Sequence, residues 1–360
     1  KNGELAFLNG LSSQDTSRAR TIFAISRPAD SSAEFLMGQA VLRYHNFDEC
    51  YYTPDANFGT VDDDEFVMPI VDPQIIDDCK RVFNVSRTNQ YGLSIVVPWY
   101  DYNEITSRIL CEAVIDDYFW PIIHGDLSVS ICTGAEVTDL DTATLMAAAE
   151  SLINSNSRRE LLELALWAKN NAEDEHVKIP CLSPSDPWKD VSIEDTVLQE
   201  VRERLSSHVP VSFDVPLIVR RKDGTDDQSS FRVYLWKKDP EVSGKATFIR
   251  NGIIIKNAGT KILRGVTALV LIEDGPCAEM LGDAENPAHT EWQSNNPAFK
   301  GKYKYPQGHI RAITDSASKI LRLVSDQEQK SDPNLLLDFF GIEQSAETRS
   351  RDEVAGRNRP

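Results

Sequence analysis

Residues 91–131 read YGLSIVVPWYDYNEITSRILCEAVIDDYFWPIIHGDLSVSI, and this stretch decides the fold class. Gly92 opens an uncharged, β-branched run that Pro98 ends, the pattern of a buried strand. From Asn103 to Ile123 apolar residues recur at helical spacing, which predicts a strongly amphipathic helix. GDLSVSICTG, residues 125–134, reads as the strand that follows. Strand, helix and strand in so short a span point to a mixed α+β architecture.

The same alternation extends in both directions. RARTIFAISR (18–27) and QAVLRYHNF (39–47) read as strands, and TVDDDEF (60–66) as an acidic loop. DPQIIDDCKRVFNV (72–85) begins with Asp-Pro and carries Ile75, Ile76, Cys79, Val82 and Phe83 at helical spacing. Residues 140–170 predict two helices, DTATLMAAAESLINS with Asp141 or Thr142 as N-cap, then SRRELLELALWAKNN. The Pro- and charge-rich segment 172–190 reads as a linker, and VSIEDTVLQEVRERLSS (191–207) as a helix with Ser192 in a capping-box position.

Beyond residue 206 the pattern changes. VSFDVPLIVRRKDGTDDQSSFRVYLWKK (211–238) is a hairpin around Asp223-Gly224, and KATFIRNGIIIKN (245–257) is another around Asn251-Gly252. GVTALVLIED (265–274) reads as a buried strand, GPCAEMLGDAEN (275–286) as a short helix that Pro276 starts and Gly282 ends, and GHIRAITDSASKILRLVSDQ (308–327) as one long amphipathic helix. The last residues are polar and read as disordered.

Composition narrows the function classes. The chain has 360 residues and a net charge of −18, so direct nucleic-acid binding is not expected. The basic runs Arg220-Arg221-Lys222 and Lys300–Lys304 read as solvated faces. No apolar run is long enough to span a bilayer. Six scattered cysteines without a CxxC pair read as free thiols of a cytoplasmic protein. Phosphate-loop, dinucleotide, HExxH and GxSxG motifs are missing. Ser316 and Lys319 match SxxK but fall inside a helix, where they read as solvent-facing.

The densest polar constellation is LGDAENPAHTEWQ, residues 281–293. Asp283, Glu285, His289 and Glu291 are oxygen and nitrogen donors suited to Mg²⁺, Mn²⁺ or Zn²⁺. The same residues also suit a loop that satisfies its own backbone or faces a partner, with Pro287 fixing its exit and Trp292 anchoring it. The loop reading is preferred.

The 91–131 stretch, with FLMGQAVLRYHNF and PIVDPQIIDDCKRVFNVSR upstream, resembles the later part of the GHKL ATP-binding fold of Hsp90, gyrase, MutL and histidine kinases, as found in bacterial Hsp90-like proteins, some of them encoded in genome-defence islands. FIRNGIIIKN and LVLIEDGPCAEMLGDAENPAHTEW resemble the ribosomal-S5-like transducer domain that follows it. The resemblance implies a GHKL remainder over 1–135, a helical connector and linker over 136–205, a transducer over 206–325, and a short helix and disordered tail over 326–360. It implies that Gly92, Leu93 and Ser94 line a nucleotide pocket, with Ser94 as hydroxyl, and that Arg250 and Asn251 sit near the domain junction. The Glu-x-x-x-Asn helix, the Asp-x-Gly-x-Gly turn and the Gly-rich lid of that family are missing. In the family they precede the region where this chain starts. Either the chain is a fragment, which its lack of an initiator Met favours, or it is a degenerate relative.

Three functions follow as expectations. The first is a transducer of nucleotide state, with ATP and Mg²⁺ bound only if a nucleotide-binding half accompanies this chain, and no ATPase activity or cofactor for this chain alone. It would act on a protein partner or in a homodimer. The second is a non-catalytic binding scaffold using the acidic surface and the 281–293 loop. The third is a metal-dependent hydrolase built on Asp283, Glu285, His289 and Glu291.

Overall fold

The computed structural model describes residues 20–87, 90–134, 136–170, 176–238, 243–259 and 261–325. The tail expected over 326–360 and the first part of the expected linker lie outside them. The protein is mixed α+β. It packs as two compact units that are not consecutive in sequence. The first comprises Lys1–Asn170, Ile249–Ala258 and Leu281–Phe299, and the second comprises Asn171–Phe248, Gly259–Met280 and Lys300–Pro360.

The first unit opens with β1 (Thr21–Arg27) and β2 (Phe35–Val41), followed by the hairpins β3 (His45–Phe47)–β4 (Cys50–Tyr52) and β6 (Thr60–Val61)–β7 (Val67–Met68) on either side of β5 (Asp55–Phe58). β5, β2 and β1 join β8 (Gly92–Val96) in an antiparallel sheet of order β5-β2-β1-β8, and the two hairpins stand as separate two-stranded sheets. Helix α1 (Pro73–Val82) packs on one face. Ile25 and Leu36, paired in register, bury against Ile70 and Ile76, with Phe23 and Cys79 beside them. As the sequence predicts, Asp72 caps α1, its carboxylate accepting from the Gln74 N–H at 2.8 Å, while Pro73 occupies the first turn where its missing donor costs nothing.

Strand β8 corrects one expectation. It forms where predicted, yet it is an edge strand with Leu93 44% and Ile95 41% exposed, so it is not a buried strand. Its lack of charge was the misleading signal.

Helix α2 (Ser107–His124) starts at its N-cap Thr106 and ends at Gly125, which adopts φ 81°. Phe119, Trp120, Ile122 and Ile123 are all buried, and consecutive positions cannot share one helical stripe. The helix is therefore enclosed at its C-terminal end and not simply amphipathic. The hairpin β9 (Val129–Thr133)–β10 (Glu136–Leu140) and the helices α3 (Leu145–Leu152) and α4 (Asn156–Asn170) pack with it. Asp141 closes the turn before α3, accepting from the Ala143 and Thr144 N–H groups.

In the second unit the expected linker contains a strand, β11 (Val177–Lys178), which pairs in parallel with β12 (Val211–Arg220). Ile179 and Leu182 are buried, so the segment from His176 onward is part of the fold. Helix α5 (Asp195–Ser206) begins after Glu194 with no side-chain cap, so Ser192 does not cap it. β12 and β13 (Asp226–Lys237) form the long hairpin around Asp223-Gly224, Gly224 having φ 98°. Val211, Phe213, Val215, Leu217 and Val219 alternate along β12, each fully buried.

Beyond it come β14 (Ser243–Lys245), β15 (Thr247–Arg250), β16 (Ile253–Ile254), β17 (Ile262–Arg264) and β18 (Val266–Ile272). β18 pairs with β13 and is buried along almost its whole length, as its apolar run predicts. The last helices are α6 (Pro276–Ala284), α7 (Pro297–Lys302), α8 (Pro306–Thr314) and α9 (Ser316–Ser325).

The single long helix expected near the end is therefore two helices, broken at Asp315. Ser316 is not solvent-facing. It is fully buried, and its hydroxyl donates to the Ile313 carbonyl at 2.7 Å. The basic run at 220–222 is largely neutralised, with Arg221 bonded to Asp227 at 2.9 Å and Arg220 lying 3.6 Å from Asp226. Among the described residues no helix is long and apolar enough to cross a membrane.

Candidate functional site

The best-built polar cluster lies in the first unit, where the segments 249–258 and 281–299 meet. β15 and β16 turn at Asn251 and Gly252, with φ 45° and 80°, the positive values a tight hairpin turn demands. This turn fixes Arg250 at the end of β15. Glu285 directly follows α6, where a carboxylate faces the negative end of the helix dipole. The Arg250 guanidinium offsets that penalty through a two-pronged ion pair. Its Nε bonds Oε1 of Glu285, and its Nη2 bonds Oε2 at 2.8 Å. The Glu285 side chain is 2% exposed and that of Arg250 12%.

Two further donors complete the carboxylate. Trp292 gives its indole N–H to Oε1 at 3.3 Å, and His289 Nδ1 lies 2.6 Å from Oε2. An ionised carboxylate only accepts, so Nδ1 carries the proton and Nε2 is the free edge of the ring. The ring is half exposed, and His289 holds φ 51°, a backbone conformation unusual for a side chain of its kind. Gly282, expected to end α6, lies inside it instead. A Cβ there would stand 3.5 Å from Arg250 Nη1, an ordinary contact distance.

The remainder of 281–293 satisfies itself. Asn286 accepts from the Thr290 N–H and donates to the Thr290 hydroxyl, both at 2.9 Å. The Gln293 N–H reaches the Ala284 carbonyl, and the Asn286 N–H reaches that of Glu291. The Thr290 carbonyl accepts from the Asn257 N–H at 2.8 Å, which joins the loop to the 249–258 segment. Glu291 accepts from the Gln293 side chain, and Asp283 is half-buried on α6.

This geometry sets aside the metal reading of Asp283, Glu285, His289 and Glu291. Both oxygens of Glu285 are committed to Arg250, His289 and Trp292. No group of three or more His, Cys, Asp or Glu among the described residues is arranged to hold a metal ion.

Gly92, Leu93 and Ser94 form the start of the edge strand β8. Gly92 has φ 125°, with open space where a Cβ would be. Ser94 Oγ accepts from Arg87 Nε at 2.9 Å, and the same guanidinium bonds the Ile25 carbonyl at 2.9 Å and the Gln90 carbonyl at 2.6 Å. Ser94 keeps its O–H to donate. One hydroxyl and an open strand edge are too few groups to hold a nucleotide by themselves.

Sequence reasoning missed Arg87 and the pairing of Arg250 with Glu285. Arg87 carries no pattern at all. Arg250 and Glu285 were singled out separately, but only folding brings them together. No protein-family model and no curated protein sequence matches the chain.

Proposed function

We propose that this chain is the transducing portion of an Hsp90-like, GHKL-type ATPase, relaying nucleotide state to a protein partner or a second copy and hydrolysing nothing alone. The observation that supports this reading is the interleaving of the two units. The chain passes from one to the other after Asn170, Phe248, Ala258, Met280 and Phe299, five times in all. Each crossing is a covalent route by which a change in one unit can reach the other, as a coupling device requires.

The local structure supports the same reading. The segments 249–258 and 281–299 return from the second half of the chain to the first unit. There they are held by the Arg250–Glu285 pair and by the Lys256–Asp117 ion pair at 2.7 Å. The resemblance of Gly92–Ser94 to a nucleotide-lining strand supports assigning that unit to the nucleotide-binding side of such an ATPase.

The scaffold reading stays second. The 281–293 loop spends most of its polar groups on itself and leaves chiefly the outer edge of His289 for a partner.

Hydrogen exchange on the native polypeptide, with and without a non-hydrolysable ATP analogue and Mg²⁺, separates the two. The transducer reading requires altered exchange within 249–258 and 281–299. Unchanged exchange at saturating analogue leaves the scaffold.

A further inference from the structure

A cleft of about 650 Å³ lies in the second unit, lined by His176, Val177, Lys178, Val197, Glu200, Val201, Arg204 and Val211. One wall is the edge strand β11, which ends the sheet order. The other is α5, where Val197, Glu200, Val201 and Arg204 share one face by their spacing of three and four residues. Leu198, Val201 and Leu205 form the buried stripe of the helix, so Val201 meets the cleft only at its floor, as the buried Val211 does.

The strand wall has backbone groups to offer. The Ile179 N–H bonds the Asp214 carbonyl at 3.0 Å. Backbone polar groups alternate sides along a strand, so the N–H and C=O of Lys178 turn away from β12. An open edge beside a helix is the geometry that accepts an extended peptide as an added strand.

The side chains specify which peptide. The floor is valine. Lys178 has no ionic partner among the described residues, and Arg204 donates only to the Pro210 carbonyl, at 3.3 Å. His176 stands edge-on to Tyr234 with ring centroids 6.1 Å apart. Glu200 is the one opposing charge in the lining. In a chain of net charge −18, uncommitted cations grouped around an apolar floor select against a basic partner and for an acidic one.

We propose that this cleft binds an extended protein segment of alternating acidic and apolar residues, added as a strand to β11. Its apolar side chains enter the valine floor, and its carboxylates meet Lys178 and Arg204.

Fluorescence anisotropy on the full chain with a labelled Asp-Val-Asp-Val-Asp-Val peptide tests this. Saturable binding is expected, lost when the central peptide nitrogens are methylated, and weakened roughly tenfold by the exposed substitution Lys178→Glu. Protection of the Lys178 amide from exchange should accompany binding. No saturable binding, equal binding of a Lys-Val-Lys-Val-Lys-Val peptide, or indifference to N-methylation would each overturn the assignment. Because Lys178→Glu lies on the surface, a folding defect is not expected, and Arg204→Gln with unchanged thermal unfolding gives a second, independent reading.

Discussion

Arg250 and Glu285, 35 residues apart in sequence, share a nearly dry two-pronged ion pair that binds the β15–β16 hairpin to the end of α6. Removing one partner strands the other's charge in the interior. Glu285→Ala should therefore destabilise the protein by about 3–5 kcal/mol, whereas replacing both residues with apolar ones of similar volume should cost much less. Urea unfolding of the two single variants and the double variant measures the difference. A loss in the double variant equal to the sum of the two single losses would mean the pair is not a unit.

Two glycines in helices should respond in opposite ways. At Gly282 a methyl group would meet Arg250 at ordinary contact distance, so Gly282→Ala should be neutral or stabilise by up to about 1 kcal/mol through helix propensity. At Gly308, in α8, a Cβ would collide with the Pro184 carbonyl, a backbone atom that cannot swing aside. Gly308→Ala should lower the melting temperature sharply or prevent folding. Trp188, whose indole N–H bonds the Ala312 carbonyl at 3.1 Å, holds the same seam closed. Thermal denaturation of the two variants checks both signs.

His309 makes stability depend on pH. It is fully buried. Its Nε2 accepts from the Arg220 N–H at 3.1 Å, and its Nδ1 lies 3.2 Å from the Tyr305 carbonyl. Burial pushes its pKa down to about 4 from 6.5. The unfolded chain therefore binds the extra proton first. Stability should be full above the unfolded value and fall as pH drops from about 6.5 towards 4, by up to about 3 kcal/mol. His309→Gln should flatten that part of the curve, read by chemical denaturation at successive pH values.

The thiols should separate by exposure, with the half-buried Cys79 between two extremes. Cys50, Cys132 and Cys181 are exposed, while Cys111 and Cys277 are buried, and burial pushes the Cys277 thiol up to about 12. A maleimide should label the exposed three in the native state and reach Cys277 only on unfolding. Peptide mapping after timed labelling gives the order directly.

Local chemistry was legible in the sequence, and long-range pairing was not. Asp72-Pro73, Asn251-Gly252 and Asp223-Gly224 mark their helix start and hairpin turns because the cause lies within a few residues. The pattern marks β8 but not its exposure, since an uncharged run looks alike whether or not a neighbouring strand covers it. β11 was hidden in a Pro-rich segment because its hydrogen bonds are made to β12, more than thirty positions onward. The Asp315 break has no local signal because apolar spacing continues across it. In the candidate site every residue of the cluster was singled out, but the role of Glu285 as a shared acceptor depends on Arg250, which no local pattern connects to it.

The interleaving of the two units also sets an order of events during synthesis. The first unit takes in residues as late as Phe299, so the first 170 residues leave the ribosome well before the strands and loop that complete them exist. Apolar residues of that stretch must wait in an incomplete state while more than a hundred further residues are made. The first unit can be completed only once Phe299 has been made, and a chain stopped before Arg250 should aggregate rather than yield a stable half.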